Sequence, residues 1–302
     1  MAGLRRKSPA AGMDGTLRHS YREEVGNPAM RITFHGVRGS TPCHGPDTAK
    51  YGGNTACVSV EVDGEEPILC DLGTGFRYFG RSWWERHGST FCGTALVTHL
   101  HWDHIMGLPF FSPLISANSH LTVYGPRQED GSFEDAVRRV VQPPTFPVTL
   151  DEFPGSVTLL DIGDESMMVG DVRVLSRFVP HIGPTLGFRI EHAGRSVAYV
   201  SDHQQPVDGS FSVPPSVREL AEGVDLLIHD AQYTTPEFAH KAHWGHSTQE
   251  YAVALAASCG VGRLAMFHHD PERTDAELDC VASCAGSTLE VFAAREGLVL
   301  EL

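Results

Sequence analysis

Apolar and polar residues first alternate where Ile32 and Phe34 interleave with Arg31, Thr33 and His35. That period of two predicts a half-buried strand over residues 31–37. Two further runs, 56–62 and 67–70, flank Asp63-Gly64, a turn dipeptide that predicts a hairpin. Apolar runs at 94–97, 121–124, 157–160, 172–179, 186–191 and 197–200 read as additional strands. Ser132-Phe133-Glu134-Asp135 opens a helix that Pro143-Pro144 closes. Strands at 225–229 and 263–267 each precede a helix. Ser247-Thr248-Gln249-Glu250 caps the first helix, which Gly260 stops; Thr274-Asp275-Ala276-Glu277 caps the second, which Gly286 stops. Strands interleaved with helices predict an α/β (α+β) protein whose sheets are covered by helices. No repeat or linker divides residues 30–302, which read as one domain. Residues 1–29 mix Gly, Ser, Arg and Glu without period and predict a disordered tail. The Pro- and Phe-rich connection 142–155 reads either as a lid or as a plain surface loop.

Composition adds limits. The 302 residues are 41% hydrophobic and 20% charged, ordinary values for a globular protein. The nearest approach to a membrane span, residues 251–259, is far too short, so no membrane partner is expected. Arg5, Arg6 and Lys7 have no apolar stretch behind them, so the N-terminus does not read as a secretory signal. Seven scattered cysteines, with Cys70 in a strand pattern and Cys280 and Cys284 at helical spacing, predict free thiols in a reducing cytoplasm. A net charge of −15 opposes a grip on long nucleic acid. Arg138 and Arg139 form either a local basic patch or an exposed helix face.

Candidate chemistry follows the run 94–97, in Thr98-His99-Leu100-His101-Trp102-Asp103-His104. Three imidazoles and a carboxylate lie on a loop leaving the carboxyl end of a strand. His99 and His101 alternate, so extended chain points both toward one cation. Asp103 and His104 come after the turn and can reach a second cation beside it. Nitrogen with carboxylate suits zinc, or manganese or iron, better than calcium or magnesium, which take oxygen ligands. Two cations need more ligands than one loop supplies. Isolated candidates stand at other strand ends: His181 after Phe178-Val179-Pro180, Asp202 after Val200-Ser201, and the doublet His268-His269 after Phe267.

His-Leu-His-Trp-Asp-His resembles the His-x-His-x-Asp-His signature of the metallo-β-lactamase-fold hydrolases. Trp102 with Ile105-Met106-Gly107-Leu108-Pro109 resembles their phosphodiesterase-like branch. The resemblance runs from about Met30 to the C-terminus and implies a four-layer αββα sandwich with metals at one rim. It further implies that His99, His101 and His181 hold a first metal while Asp103, His104 and His268 hold a second, bridged by Asp202. His268 rather than His269 matches the family position, leaving His269 and Asp270 to orient ligands. Asp71-Leu72-Gly73-Thr74-Gly75 is either a tight turn needing positive φ at its glycines or, like a similar family turn, brings Asp71 against the metal site. Ile228-His229-Asp230-Ala231-Gln232 resembles the His-Glu-Ala-Thr strand of the tRNA 3′-processing endonucleases (RNase Z), and Gly245-His246-Ser247-Thr248 their His-Ser-Thr motif. In these roles Asp230 orients His246, which protonates a leaving alkoxide, although Asp in place of Glu shortens the reach.

The function so implied is dinuclear metal-dependent hydrolysis of a phosphodiester. Two cations about 3.5–4 Å apart can share a hydroxide as nucleophile, with Asp103 helping to orient it. Zinc is the expected metal, two ions per chain, with Mn²⁺ or Fe²⁺ as alternatives. Relatives on the same fold split thioesters, lactones and β-lactams, but the Asp230–His246 pair favours phosphoesters, because alkoxide departure needs an acid. The acidic charge and the want of a Lys-rich insertion favour small phosphodiesters such as cyclic nucleotides. An RNase Z-like endoribonuclease is the alternative. Arg38 and the Gly-rich loop 36–54 read as donors for one small phosphate. The partners so expected are a small-molecule phosphodiester and, as an option, a second copy in a homodimer.

Overall fold

The computed structural model describes residues 30–281 and 289–302. The expected tail at 1–29, Cys284 and Gly286 lie outside the described residues. The alternation at the start of the chain forms β1 (Met30–Gly36), with Met30, Ile32 and Phe34 fully buried. It heads a sheet continued by β2 (Cys57–Val62), β3 (Ile68–Cys70), β4 (Cys92–Leu96), β5 (His120–Pro126) and β6 (Ser156–Ile162). A second sheet contains β7 (Glu165–Val169), β8 (Val172–Phe178), β9 (Leu186–His192), β10 (Arg195–Val200), β11 (Leu226–Asp230), β12 (Arg263–Phe267) and β13 (Glu290–Ala293). The last strand, β14 (Val299–Glu301), returns to pair antiparallel with β1. In each sheet antiparallel ladders give way to parallel ones, from β3 to β6 in the first and from β10 to β13 in the second.

The two sheets face each other across a core that includes Ile32, Phe34, Val58, Phe188, Ile190, Tyr199 and Phe267. On the outer face of the first sheet, α1 (Thr74–His87) buries Phe76 and Phe79 against Leu69, Ala95, Phe111 and Leu121. Along the same side run α2 (Trp102–Ile105) and α3 (Phe133–Val140). Over the second sheet lies α4 (Pro215–Ala221); α5 (Thr235–Lys241) is tied through Glu237 and Lys241 to Arg273 and Asp270 after β12; and α6 (Gln249–Ser258) and α7 (Asp275–Val281) again pack on the sheet. Val217 and Leu220 of α4, with Tyr251 and Leu255 of α6, meet Ala198, Val200, Leu227 and Leu264 of the strands beneath. This is the expected four-layer αββα sandwich. No helix of the described residues is long and apolar enough to cross a membrane.

The predicted hairpin joins β2 to β3, with Gly64 at φ 88° in its turn. Several elements escape the sequence pattern. The residue before α1 is Gly73, which has no side chain to cap it; the Thr74 amide donates instead to Thr55 Oγ1 at 2.9 Å, and the buried face is only Gly75, Phe76, Phe79 and Gly80, so neither a local cap nor a clear stripe marks it. Strand β7 is an edge with no fully buried position, which removes the alternation that would reveal it. The cap of α6 is Thr248, accepting from the Tyr251 amide at 3.1 Å, rather than Ser247, whose hydroxyl donates to the His203 carbonyl. The Thr274–Glu277 capping box forms as expected. Arg138 and Arg139 prove to be an exposed helix face, paired with Glu134, Asp151 and Asp130.

The expectation that Arg38 receives a phosphate is overturned by its burial. Its side chain is fully enclosed and donates to the carbonyls of Gly52 (2.8 Å), Asp270 (3.1 Å) and Arg273 (2.7 Å). Bridges from residue 38 to Thr55 and His269 make the same connection through the backbone. Arg38 thus fastens the loop after β1 to the segment after β12, and its charge is spent on buried carbonyls. Replacing Arg38 by Ala strands those acceptors and is expected to destabilise the fold by roughly 2–4 kcal/mol. A denaturant midpoint measures this; unchanged stability with a raised KM would return Arg38 to substrate binding.

Candidate metal centre

Strands β4, β8, β10, β11 and β12 all end at one rim, and each delivers a functional side chain there. Past β4 come His99, His101, Asp103 and His104; past β8, His181; past β10, Asp202; at the end of β11, Asp230; past β12, His268. His246 arrives just before α6. Two of these segments need glycine beside them. A Cβ on Gly39 would lie 2.3 Å from the His268 ring, and one on Gly245, at φ 97°, would lie 2.5 Å from the His181 ring.

The rings fall into two groups. In the first, His101 Nδ1 is 2.8 Å from His99 Nε2 and 3.4 Å from His181 Nε2. In the second, His104 Nε2 is 3.3 Å from His268 Nε2, and Asp103 Oδ2 lies 3.2 and 3.1 Å from those two atoms. Asp202 stands between them. Its Oδ1 faces His99 and His181 at 3.9 and 3.8 Å, and its Oδ2 faces His104 and His268 at 3.2 and 3.4 Å. A tetrahedron with bonds of 2.0–2.1 Å has edges of about 3.3 Å, so these donor separations fit a transition metal in each group.

The outward nitrogens of His99, His104, His181 and His268 are also engaged, which turns their other nitrogens inward as candidate donors to a metal. His99 Nδ1 lies 3.0 Å from Thr98 Oγ1, and His104 Nδ1 2.7 Å from Asp71 Oδ2. His181 Nδ1 donates to the Gly245 carbonyl at 2.7 Å, and His268 Nδ1 to Gln232 Oε1 at 2.9 Å. Asp71 therefore orients a ring, as one of its two readings held, and it also accepts from Thr98 and Tyr199. The other reading is corrected in detail: Asp71 itself carries the positive φ, 60°, while Gly73 is at −64°. Gly73 is needed because a Cβ there would lie 2.2 Å from the Asp103 carbonyl oxygen. His268 also sits at φ 57°, a left-handed conformation unusual for a residue with a side chain.

His268, and not His269, enters the cluster. His269 Nε2 instead reaches the Ala294 carbonyl at 2.9 Å, and Asp270 pairs with Lys241, so neither orients the clustered rings as the resemblance implied. That work falls to Gln232, which sequence reasoning passed over. Its Nε2 also donates to Ser40 Oγ at 3.3 Å, and the Ser40 amide donates to Asp103 Oδ2 at 2.7 Å. The signal available was its position two residues past Asp230, on a strand end already marked by chemistry.

The electrostatics are those of a cation site. Burial pushes His99 and His101 below the usual histidine range, and His181 to about 4, so these rings are neutral. Burial opposes charge on His104 and His268 too, but Asp202 and Asp103 facing them raise both. Burial likewise opposes ionisation of Asp202, yet His268, His104 and His99 hold it well below the carboxylate range. These carboxylates thus demand positive charge, which a metal supplies better than protons on buried rings.

Asp230 and His246 complete the rim. His246 Nδ1 is 2.8 Å from Asp230 Oδ2, and the carboxylate also accepts from the amides of Gln232 (3.0 Å), Ser247 (3.3 Å) and His203 (3.3 Å). The carboxylate, so held, fixes the proton of His246 on Nδ1 and leaves Nε2 for chemistry.

Two transition-metal equivalents per chain are expected by elemental analysis, and His101→Ala should lose binding. Gln232→Leu should weaken metal affinity by roughly 10–100-fold in chelator competition; unchanged affinity would make Gln232 a bystander. Because the raised pKa of His104 and His268 means metal must displace their protons, affinity should climb as pH rises above about 6.5. A flat pH profile would contradict that competition.

Comparison with known proteins gives the family and the fold. The Beta-lactamase superfamily domain matches residues 68–269. A Ribonuclease Z from Natronomonas pharaonis is 27% identical over 304 residues, covering 83% of this chain and 92% of its own. The metallo-beta-lactamase fold protein YhfI from Bacillus subtilis superposes with TM-score 0.68 at 19% identity, over 91% of this chain and 100% of that one. The short form of human tRNase Z superposes with TM-score 0.63 at 22% identity, over 90% and 98%. With its family domain, its fold and its rim of histidines and aspartates in agreement, the chain belongs to the beta-lactamase superfamily and is one of its hydrolases.

Proposed function

We propose that the protein is a phosphodiesterase whose residues hold two metal ions and one proton donor. The observation that carries this is the 2.8 Å contact of His246 with Asp230, beside the metal cluster and 3.7 Å from Asp202. Hydrolysis of a thioester expels a thiolate and has less need of such an acid, whereas the alkoxide departing from a phosphodiester needs a proton. His99, His101 and His181 would hold one ion, Asp103, His104 and His268 the other, with Asp202 shared. The ions most consistent with the donors are zinc, then manganese or iron. Bound there, they would activate water and offset charge on the phosphoryl oxygens.

The chain's own residues do the rest. Asp230 holds the Nδ1 side of His246 and so aims Nε2 at the rim, from which a proton on Nε2 passes to the leaving oxygen. Gln232 holds His268, and the Ser40 amide holds Asp103, so the second group of donors is fixed before substrate arrives.

For substrate, the relationship to proteins named Ribonuclease Z over most of the chain favours an RNA phosphodiester and an endoribonuclease reading. Small phosphodiesters such as cyclic nucleotides are the second reading. The net charge of −15 favours them, as does the engagement of Lys241 by Asp270. A panel of precursor tRNA, cyclic nucleotides, bis-p-nitrophenyl phosphate and a thioester separates these readings. Cleavage of precursor tRNA with a steep salt dependence supports the first, because each phosphate contact steepens it. Turnover of small diesters with little salt dependence supports the second. Thioester hydrolysis without diester hydrolysis would refute both. His246→Ala should slow diesters with poor leaving groups by roughly 10²–10⁴-fold and p-nitrophenyl esters far less; equal losses would remove His246 as the proton donor.

A further inference from the structure

We propose that the apolar cavity beside Trp102 is the subsite for the group that stays on the phosphate, and that it takes a planar aromatic group such as a nucleobase. This rests on the phosphodiesterase reading above and gives it a direction.

Three cavities adjoin at the rim. The central one holds His101, Asp103, Asp202, His246 and His268. On one side it shares Trp102 with a cavity of about 430 Å³, lined by Ile105, Phe110, Val140, Val141 and Phe146. On the other it shares Ser40 and His246 with a cavity reaching Lys241 and Trp244. Trp102 lies in sequence between His101 and Asp103, so whatever stacks on its ring is tied to the reacting centre. Trp102 is 61% exposed and Phe110 57%, a conspicuous apolar surface for a chain this acidic. The far edge of the pocket is closed by Phe110 set edge-on to Phe146, their centroids 5.7 Å apart. Phe146 belongs to the connection 142–155, read from sequence as a lid or a surface loop. Phe146 and Phe153 pack against the core under α1, so this stretch serves as a wall.

The volume lies within the roughly 300–1,000 Å³ common for small-ligand sites, and the lining, mostly apolar with Arg77 as its one charged member, suits a flat ring. Direction follows from the acid. A water oxygen bonds to phosphorus while the bond to the leaving oxygen breaks. The leaving oxygen takes the His246 Nε2 proton, and the water gives one proton to solvent, from which the imidazole is reprotonated. The leaving group must therefore lie on the His246 side, toward Lys241 and Trp244. The retained ester group lies off that axis, and the cavity that adjoins the centre away from His246 is the one at Trp102.

Three diesters releasing the same p-nitrophenolate test this, with methyl, phenyl or 5′-thymidyl as the retained group. Stacking on an aromatic wall should lower KM for phenyl and thymidyl relative to methyl by about 5–100-fold. Val140→Phe, which fills the pocket, and Phe110→Ala, an exposed substitution safe for folding, should both shrink that preference severalfold. The proposal is overturned if the wild type shows no preference, or if the preference survives in a folded Val140→Phe protein and in Phe110→Ala. Failure of the metal-loaded wild type to cleave any of the three would instead strike the phosphodiesterase reading itself, and this inference with it.

Discussion

Asp202 stands buried between two sets of imidazoles, one oxygen facing each set, and a charge so placed is tolerable only where its surroundings neutralise it. The rest of the site can be understood as answering that requirement. Neutral rings on one side and proton-holding rings on the other give the carboxylate two unlike neighbours. Beyond them a second ring of contacts, from Thr98, Asp71, Gly245 and Gln232, decides which nitrogen of each imidazole points inward. Ring orientation, and with it the set of nitrogens offered to a cation, is therefore set by these hydrogen bonds.

Such a cluster also constrains the backbone. His268 and Asp71 adopt positive φ without being glycine, and Gly39, Gly73 and Gly245 allow main chain to pass where a methyl group would collide. Local strain of this kind persists only where packing on both sides enforces it. Arg38 supplies part of that enforcement, joining the loop after β1 to the residues that follow His268 and His269. A buried guanidinium whose Nε and Nη1 are engaged by carbonyls is structural for the same reason that an exposed one would be available to phosphate.

Legibility in the sequence tracked how local each signal was. The clustered motif 99–104, the positions of His181, Asp202 and His268, and Asp230 were readable because each lies at the end of a recognisable apolar run, whereas His246 was readable only through the resemblance of Gly245-His246-Ser247-Thr248 to a known motif. Arg38 was misread because burial is a property of the assembled rim, and a glycine-rich loop looks the same whether it meets a ligand or another loop. His269 was assigned an orienting task on adjacency alone, but at φ 57° residue 268 turns the chain and sends the next side chain toward Ala294. Gln232 carried no motif of its own.

By itself, then, the sequence determined the elements whose hydrophobic period is strong and the identity of the side chains that gather at the rim, since both depend on neighbours a few residues apart. Tertiary structure alone decided which nitrogen each ring presents, that Asp202 divides its two oxygens, that Arg38 is enclosed, and that Trp102 opens onto an apolar pocket. Those facts depend on distances between segments far apart along the chain, and such distances exist only once two sheets have packed face to face.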